Sequence, residues 1–515
     1  MIKEKNTEES ISVTLARADW RFLLSNMMPQ KCIISGEGHL QSAVRMISET
    51  TSKASHNDKY NNYDLAIAVE PNYKKLHEMY KALKPGGCAY FEWNLKPILK
   101  LKSIERSLKL TGFQNINFYL PDPNPNDSAT KLWIPLNAPN VISYSLNNFY
   151  KHLHFPLAKN LLDFAINRLR INPIMFFPWL LSSNPLRAIV VSIANKPPDK
   201  TNREIINLKN YGSILDVVDE SQTLLSIEGE DIDNKAILFV FPKNQQEPLF
   251  VVKIPKIKRY EYLLENEGKT LRTLERSIDG IPKVLFVDNS TGLLSIGETF
   301  LHGSPLSKLI TRNNFRHFAV KVTLWLINLA KETQRIDYPV MQKYHTMLSE
   351  FATSFGSLVN KEMIDKSEKA LNSLNLRHSV CEHGDLAPQN ILIDSKGKIG
   401  VIDWEDSNLI GLPAVDLIFF LILANFHMEN AWETGKFLKV YGNIFDPSTL
   451  AGEVYEECTN LYKNEIGIEH TNLRAFHIIA FISWLHIRIR NFIEHPTDLI
   501  NNTYFRLWKE ELLNP

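Results

Sequence analysis

The stretch from His383 to Asn390 reads HGDLAPQN, and a second motif, IDWE, follows at Ile402–Glu405. The first motif supplies a carboxylate at Asp385 and an amide at Asn390, and the second supplies a carboxylate at Asp403. Metal-dependent phosphoryl transfer uses such a set, because one carboxylate orients the acceptor hydroxyl while the amide and the other carboxylate hold Mg²⁺. The spacing therefore predicts phosphoryl-transfer chemistry in this part of the chain.

The residues between the two motifs predict a β-hairpin. Ile391–Ile393 and Ile399–Ile402 are short apolar runs, and Asp394–Lys398 carries turn residues between them. Antiparallel strands return to their starting point, so we expect Asn390 and Asp403 to lie side by side. Their side-chain oxygens then suit one hard cation.

The two motifs resemble those of the aminoglycoside phosphotransferase and choline kinase-like family, which are small-molecule kinases with a protein-kinase-like fold. The resemblance implies that Asp385 is the catalytic aspartate and that Asn390 and Asp403 bind magnesium. Gly384 stands where typical protein kinases carry arginine, and Trp404-Glu405 stand where they carry Phe-Gly. Both departures favour a small-molecule kinase over a protein kinase.

Four residues around the motifs are interpreted as structural rather than catalytic. We expect His383 to pack the catalytic loop, and Glu405 and Asp406 to be supporting or surface groups rather than metal ligands. Asp416 matches a family position that supports the catalytic loop from a helix, which is a role that the resemblance implies.

The sequence upstream predicts a nucleotide-binding lobe. Ala236–Phe241 and Leu249–Ile254 read as strands, and Lys253 near the end of the second can reach the α- and β-phosphates of ATP. Tyr260–Leu274 has the apolar spacing of a helix with one buried face. Glu267 on this helix is the predicted ion-pair partner of Lys253. A solvated basic cluster is the alternative interpretation of Lys253.

A strand is also predicted at Ile281–Asp288, and Leu293–Leu306 resembles the hinge of the family. The backbone between Thr299 and Leu301 is expected to meet the adenine edge. No glycine-rich phosphate loop precedes these elements. Ser226–Asp231 occupies its place with one glycine and three acids, and this composition lowers the expected affinity for a triphosphate.

The first 199 residues alternate strand-like and helix-like segments, which predicts an α/β layered sheet. The segments LKPGG at Leu83–Gly87 and TGF at Thr111–Phe113 resemble the second half of a class I S-adenosylmethionine-dependent methyltransferase with a Rossmann-like fold. The first half departs from that family, because Asp64 follows Gly36 too closely to leave room for two strand-helix units. We therefore expect a truncated domain that does not bind S-adenosylmethionine.

The predicted fold class is an α/β Rossmann-like, methyltransferase-like sheet followed by an α+β, two-lobed, protein-kinase-like domain. We expect the first domain at residues 1–199, the kinase N-lobe at 200–300 and the C-lobe at 301–515. The length of 515 residues suits two or three domains.

The composition limits which binding partners and which cellular compartment are expected for the chain. The formal net charge is +1, so no global field recruits nucleic acid or an anionic membrane. The four cysteines are widely spaced and predict neither a metal site nor disulfides. The N-terminus is too polar for a signal peptide, no segment reaches the length of a membrane span, and a cytoplasmic location is expected. The hydrophobic segment at 171–194 is interpreted as part of the protein core, with an interfacial membrane segment as the alternative.

Three functions are compatible with these patterns. The leading one is an ATP- and Mg²⁺-dependent kinase that phosphorylates a hydroxyl of a small molecule. The second is a non-catalytic scaffold that combines a pseudokinase with a pseudo-methyltransferase. The third is a bifunctional methyltransferase and kinase. The acceptor and the oligomeric state do not follow from the sequence.

Overall fold

A computed structural model gives the structure of the chain. It describes residues 11–54, 60–94, 101–149, 189–197, 222–227, 229, 232–243, 245–336, 340–356, 358–374, 376, 378–468, 473–494 and 496–513. The chain forms two compact units. Unit 1 comprises residues 1–264 and 284–300, and unit 2 comprises residues 265–283 and 301–515.

Unit 1 is built on one twelve-stranded mixed sheet. The strands follow the order β2-β1-β3-β4-β7-β5-β6-β8-β9-β10-β12-β11 across the sheet. Their bounds are β1 Lys31–Ser35, β2 Thr50–Lys53, β3 Tyr63–Val69, β4 Leu83–Asn94, β5 Gln114–Asp122, β6 Leu132–Pro135, β7 Ile189–Asn195, β8 Gln222–Ile227, β9 Lys235–Phe241, β10 Phe250–Pro255, β11 Val284–Asp288 and β12 Ser295–Thr299.

The first part of this sheet is a parallel α/β layer, as the alternating sequence pattern predicts. Strands β2, β1, β3 and β4 are parallel to one another, and the antiparallel β7 lies between β4 and β5. The layered architecture predicted for this region is therefore present in its described residues, whereas the resemblance to a methyltransferase stays a prediction. The helices are α1 His39–Ile47, α2 Tyr73–Ala82, α3 Leu101–Thr111 and α4 Pro139–Asn148.

The second part of the sheet is antiparallel and joins the first part through β6 and β8. Trp133 on β6 lies opposite Leu225 on β8, and each is almost fully buried. From β8 onward every pair of neighbouring strands is antiparallel. The strand carrying Lys253 therefore belongs to the same sheet as the N-terminal α/β layer. The predicted boundary at residue 199 stays a prediction.

Both faces of the sheet are covered by apolar side chains. One core cluster includes Trp20, α1 residues such as Val44, and residues of the antiparallel strands such as Leu238. The other cluster joins α2, α3 and α4 to the opposite face. Because one cluster contains residues from both parts of the sheet, hydrophobic burial stabilises them together.

A short N-terminal segment that contains Arg17 and Arg21 connects the two parts of the sheet through buried charged side chains. The Arg17 guanidinium contacts the Glu92 carboxylate on β4 at 2.6 Å. Arg21 donates to the backbone oxygen of Lys256 at 2.6 Å and pairs with Asp19 at 3.1 Å. These bonds connect the parallel layer to the chain that directly follows β10.

Unit 2 is largely helical. It contains two small sheets, in which β16 pairs with β13 and β17, and β15 pairs with β14 and β18. The hairpin predicted between the two motifs is formed by β16 and β17. The strands are β13 Ser304–Pro305, β14 Arg335–Ile336, β15 His378–Glu382, β16 Ile391–Ile393, β17 Ile399–Val401 and β18 Asn408–Gly411.

The helices of unit 2 pack around one nearly all-apolar helix, Val415–Met428, in which the predicted segment Leu417–Phe426 is buried throughout. The helix that carries Glu267 begins in unit 1 and continues in unit 2. The bounds are α5 Glu261–Leu274, α6 Phe315–Thr333, α7 Met341–Phe355, α8 Lys361–Asn372, α9 Val415–Met428, α10 Ala431–Thr434, α11 Phe437–Gly442, α12 Leu450–Ile466, α13 Leu473–Ile487, α14 Ile489–Glu494, α15 Pro496–Asn501 and α16 Thr503–Leu513.

Among the described residues, no helix combines the length and apolarity needed to cross a bilayer. Residues 171–188 of the hydrophobic segment at 171–194 lie outside the described residues. The last residues of the segment belong to β7. The choice between core and interfacial segment for that run stays a prediction.

The junction between β6 and β8 makes a prediction about stability. Leu225→Ala should lower the free energy of unfolding by about 2–5 kcal/mol, because it leaves a cavity at a fully buried position where the two parts of the sheet meet. Urea denaturation of the full chain, followed by circular dichroism, measures the change. The control is Leu110→Ala on α3, a position that is 66% exposed, and this change should stay within about 0.5 kcal/mol. An equal effect at both positions would contradict the prediction.

Candidate active site

A buried carboxylate fixes the backbone of the loop that carries Asp385. Asp416 Oδ2 accepts from the backbone N–H of His383 at 2.6 Å, and Oδ1 accepts from that of Gly384 at 3.1 Å. Asp416 lies in the first turn of α9 and is 6% exposed. Burial, with the charge of Glu382, raises its pKa to about 7. The expected support of the loop from a helix is present.

Only glycine fits at position 384. Its φ of +85° lies in the left-handed region, and a Cβ there would lie 2.3 Å from the backbone oxygen of Asp406. The arginine that typical protein kinases carry at this place would clash with that backbone. The loop therefore has a different local course, which fits the interpretation of Gly384 as a departure from protein kinases.

His383 is a structural residue of the loop, as expected. The ring is fully buried, and its Nδ1 accepts from the backbone N–H of Asp385 at 3.3 Å. Its other nitrogen, Nε2, lies 3.0 Å from the Ile402 carbonyl and donates to it, since a carbonyl only accepts. The Trp404 ring packs beside it at 4.7 Å between centroids. Burial lowers the pKa of His383, so the neutral ring links both motifs.

Asp385 is half-buried and held by Asn390. The amide of Asn390 donates to the Asp385 carbonyl at 2.9 Å and to its Oδ2 at 3.3 Å. Burial raises the pKa of the Asp385 carboxyl, while the positive charge of Arg488 and the bond from Asn390 lower it. The geometry suits a carboxylate that orients a hydroxyl and later accepts its proton.

The hairpin brings Asn390 beside the second motif. The backbone N–H of Ile402 donates to the Asn390 carbonyl at 3.0 Å, directly before Asp403. Because the amide nitrogen of Asn390 is used on Asp385, its Oδ1 is the atom that suits a cation. Asp403 has a φ of +72°, a conformation that is unfavourable for an aspartate and is typical of functional sites.

Three carboxylates meet around Asp403. Oxygen atoms of Glu267, Asp403 and Glu405 all lie within 4.8 Å of one another. Glu267 is fully buried and accepts from the backbone N–H of Trp404 at 2.9 Å. Such hard oxygen ligands, with the Asn390 amide nearby, fit Mg²⁺. The sequence did not indicate that Glu405, expected to be a supporting or surface group, would join this cluster.

Unit 1 carries two of the predicted nucleotide-binding residues, Lys253 and Thr299. Lys253 on β10 is buried and lies 3.4 Å from the Glu298 carboxylate on β12. Glu298 belongs to the predicted hinge, but its contact with Lys253 was not predicted, because only the pairing of β10 with β12 brings the two together. Glu267 and Lys253 are assigned to different units, and their ion pair stays a prediction.

The hinge residues are divided between the units. Thr299 ends β12 opposite Phe250, whereas Leu301 belongs to unit 2 and lies beside Gly400. Their contact with adenine stays a prediction. The acidic loop at 226–231 lies partly outside the described residues.

Unit 2 also contains an aromatic and basic group that the sequence analysis did not assign to the site. The Arg488 guanidinium stacks on the Trp484 ring at 3.9 Å, and that ring lies 3.9 Å from the Tyr504 ring. The available signal was the i, i+4 spacing of Trp484, near the end of α13, and Arg488, the residue that follows this helix, since side chains at this spacing meet along a helical turn. Nothing local indicated that Asp385 would lie near them.

Comparison with known proteins confirms the resemblance for the central part of unit 2. Residues 356–450 match the model of the phosphotransferase enzyme family, APH. This segment contains Asp385, Asn390, Asp403 and Asp416. The resemblance inferred from the two motifs is therefore confirmed over this segment, which is similar to the phosphotransferase enzyme family.

Solved structures similar to the chain include aminoglycoside phosphotransferase APH(2'')-IIa bound to gentamicin, at 15% identity and a TM-score of 0.33 over 61% of this chain and 97% of that one. Choline kinase from Cryptosporidium parvum has 16% identity and a TM-score of 0.36, over 59% and 94%. APH(3'')-Id from Streptomyces rimosus, bound to ADP and streptomycin, has 13% identity and a TM-score of 0.35, over 55% and 99%. No curated protein matches the chain.

The raised pKa of Asp416 predicts how stability depends on pH. The pKa is about 7 in the folded chain and about 3.9 in an unfolded one, so the folded state binds more protons between these values. The contribution of Asp416 to the free energy of unfolding should therefore fall as pH rises from about 4 to about 7, and stay constant above that.

Asp416→Asn should remove this contribution to the slope. It should also lower the free energy of unfolding near neutral pH by about 1–3 kcal/mol, because one buried N–H loses its acceptor. Denaturation at several pH values between about 5 and 8 measures both effects. The matched control is the exposed Asp365→Asn on α8, which should keep the wild-type slope. A slope that Asp416→Asn leaves unchanged would mean that Asp416 is ionised throughout this range.

Proposed function

We propose that the chain is an ATP- and Mg²⁺-dependent phosphotransferase that acts on a hydroxyl of a small molecule, with Asp385 as the catalytic base. The observation that carries this proposal is the fixed arrangement of Asp385, Asn390 and Asp403. Asn390 donates to Asp385, and its backbone carbonyl accepts from the residue before Asp403. One carboxylate is thereby held apart from the oxygen ligands of a cation, as phosphoryl transfer requires.

The proposed reaction is an in-line displacement. The acceptor hydroxyl oxygen attacks the γ-phosphorus of ATP, and the bond from that phosphorus to the β–γ bridging oxygen breaks. ADP leaves with the electron pair, and the hydroxyl proton passes to the carboxylate of Asp385. Asn390 and Asp403, with Glu267 and Glu405 beside them, would hold Mg²⁺, which neutralises charge on the phosphates when bound. Lys253, with Thr299 and Leu301, would bind the nucleotide.

The raised pKa of Asp385 supports its role. A carboxyl whose pKa lies above the ordinary value is a better proton acceptor once it is ionised.

A second candidate function is a non-catalytic scaffold. The contact of Lys253 with the buried Glu298 favours it, because this glutamate is not the ion-pair partner that the resemblance to active kinases implies. The acidic composition at 226–231 points the same way. In this case the chain would bind a partner rather than turn over ATP.

The N-terminal layer would serve as a structural domain that does not use S-adenosylmethionine, and a bifunctional methyltransferase and kinase is the alternative. The four cysteines are buried and free, which supports a cytoplasmic setting for the activity.

Asp385→Asn tests the catalytic proposal. The variant keeps the size of the side chain but removes the proton acceptor, so Mg²⁺-dependent ADP release should fall by about 10²–10⁴-fold. ADP formation is measured with a coupled assay across a set of hydroxyl acceptors, and circular dichroism checks the fold. Equal rates in the variant and the wild type would remove Asp385 from the mechanism.

Asp403→Asn separates an inactive enzyme from a scaffold. In a kinase it should weaken the thermal stabilisation by ATP with Mg²⁺, because one oxygen ligand loses its charge. The control is Asp394→Asn in the turn of the hairpin, which should keep that stabilisation. Wild-type protein that shows no stabilisation by ATP and Mg²⁺ would favour the scaffold.

A further inference from the structure

Packing places Arg488 near the proposed catalytic centre. Its stack of aromatic partners ends on Phe419 of α9, the helix whose Asp416 holds the loop that carries Asp385. The guanidinium lowers the pKa of the Asp385 carboxyl against the effect of burial. Both charges also act on the phenol of Tyr504, in opposite directions. The charges of Asp385 and Arg488 therefore act on each other and on Tyr504.

Aromatic stacking holds Arg488 in place. Its guanidinium lies 3.9 Å from the centre of the Trp484 ring, and Trp484 lies 3.9 Å from the Tyr504 ring. The Tyr504 ring stacks in turn on Phe419 of the buried helix α9, at 5.9 Å. Stacking occupies the face of a guanidinium and leaves the N–H donors on its edge for other partners.

At least one of those donors has no partner among the described residues of the protein. Nη1 of Arg488 is shielded from solvent, and it makes no hydrogen bond within the part of the chain that the structure describes. A shielded donor without a hydrogen-bond partner is costly, so Nη1 of this half-buried arginine points to a functional site rather than a stabilising one. The planar fork of donors matches a carboxylate or phosphate group.

We propose that Arg488, stacked on Trp484, binds an anionic group of the acceptor while the hydroxyl of the same molecule meets Asp385. The acceptor class is therefore a small hydroxylated oxyanion, carrying a carboxylate or a phosphate, rather than a polycation or a quaternary amine. This inference rests on the proposed phosphotransferase function for the identity of the bound molecule as an acceptor.

Binding of four small probes to the full chain tests the inference. Glycerate carries a hydroxyl and a carboxylate, glycerol 3-phosphate carries hydroxyls and a phosphate, glycerol is neutral and choline is a cation. Calorimetric titration should show the two anions, or one of them, binding more tightly than glycerol and choline. The preferred anion distinguishes a carboxylate site from a phosphate site.

Three variants locate the binding site. Arg488→Met keeps an unbranched chain to pack on Trp484 but removes the charge, so it should weaken anion binding by about 10–100-fold, as expected for the loss of a charge-assisted hydrogen bond. Arg488→Lys should retain part of the preference, because it keeps the charge without the planar fork. Arg506→Met on α16 removes an exposed charge two residues from Tyr504 and should leave binding unchanged.

The outcomes separate this inference from the proposed function. Anion binding that persists in Arg488→Met, equal or tighter binding of glycerol or choline, or no anion binding at all would each overturn the inference. Binding is measured without nucleotide, and transfer from ATP to the bound anion is measured separately. Arg488-dependent binding without transfer would support the anion site and argue against the kinase function. Transfer to neutral acceptors that Arg488→Met does not affect would support the kinase function and argue against the anion site.

Discussion

The two hydrogen bonds to Asp416 from the loop that carries Asp385 are the constraint on which the candidate site depends. The backbone N–H groups of His383 and Gly384 lie inside the protein, and one carboxylate accepts from both. A single buried acceptor thus fixes two consecutive peptide groups and, through them, the position of Asp385. The raised pKa of Asp416 reflects the cost of burying that carboxylate. The burial of Asp416 is unfavourable, but it holds the loop in one preorganised conformation. A rigid site needs no reordering when a substrate binds.

A second constraint acts in unit 1, where one sheet contains both the N-terminal layer and the strand of Lys253. Strands β6 and β8 join the two parts, and Arg21 adds a buried bond to the Lys256 carbonyl, three residues after Lys253. The sheet also fixes Glu298 opposite this strand. The N-terminal layer can therefore position Lys253 mechanically, whatever else it binds. A free kinase N-lobe would instead present the edge of β8 to solvent, which invites pairing with other chains.

The sequence predicted those features that depend on residues close together in the chain. The hairpin after Asn390 follows from two apolar runs and a turn, and the structural role of His383 follows from its place in the motif. The contact of Lys253 with Glu298 could not be predicted, because it depends on which strands become neighbours. The same applies to Glu405, which meets Glu267 only when α5 packs beside the second motif. Arg488 lies far from Asp385 in sequence, and only the helical packing of unit 2 brings them near each other.

The sign of the charge beside Asp385 bears on what the site can accept. Asp385, Glu267, Asp403 and Glu405 make this region strongly acidic, and an anionic acceptor would be repelled by them at short range. A cationic acceptor would be attracted by these carboxylates, and the positive charge of the half-buried Arg488 would oppose its binding. Arg488 is therefore useful to the site only if the acceptor is an anion or if the arginine serves packing alone. Packing alone would be achieved at lower cost by an apolar side chain on Trp484, because a shielded guanidinium that lacks a full set of partners is unfavourable. The balance of these costs favours an acceptor that carries negative charge.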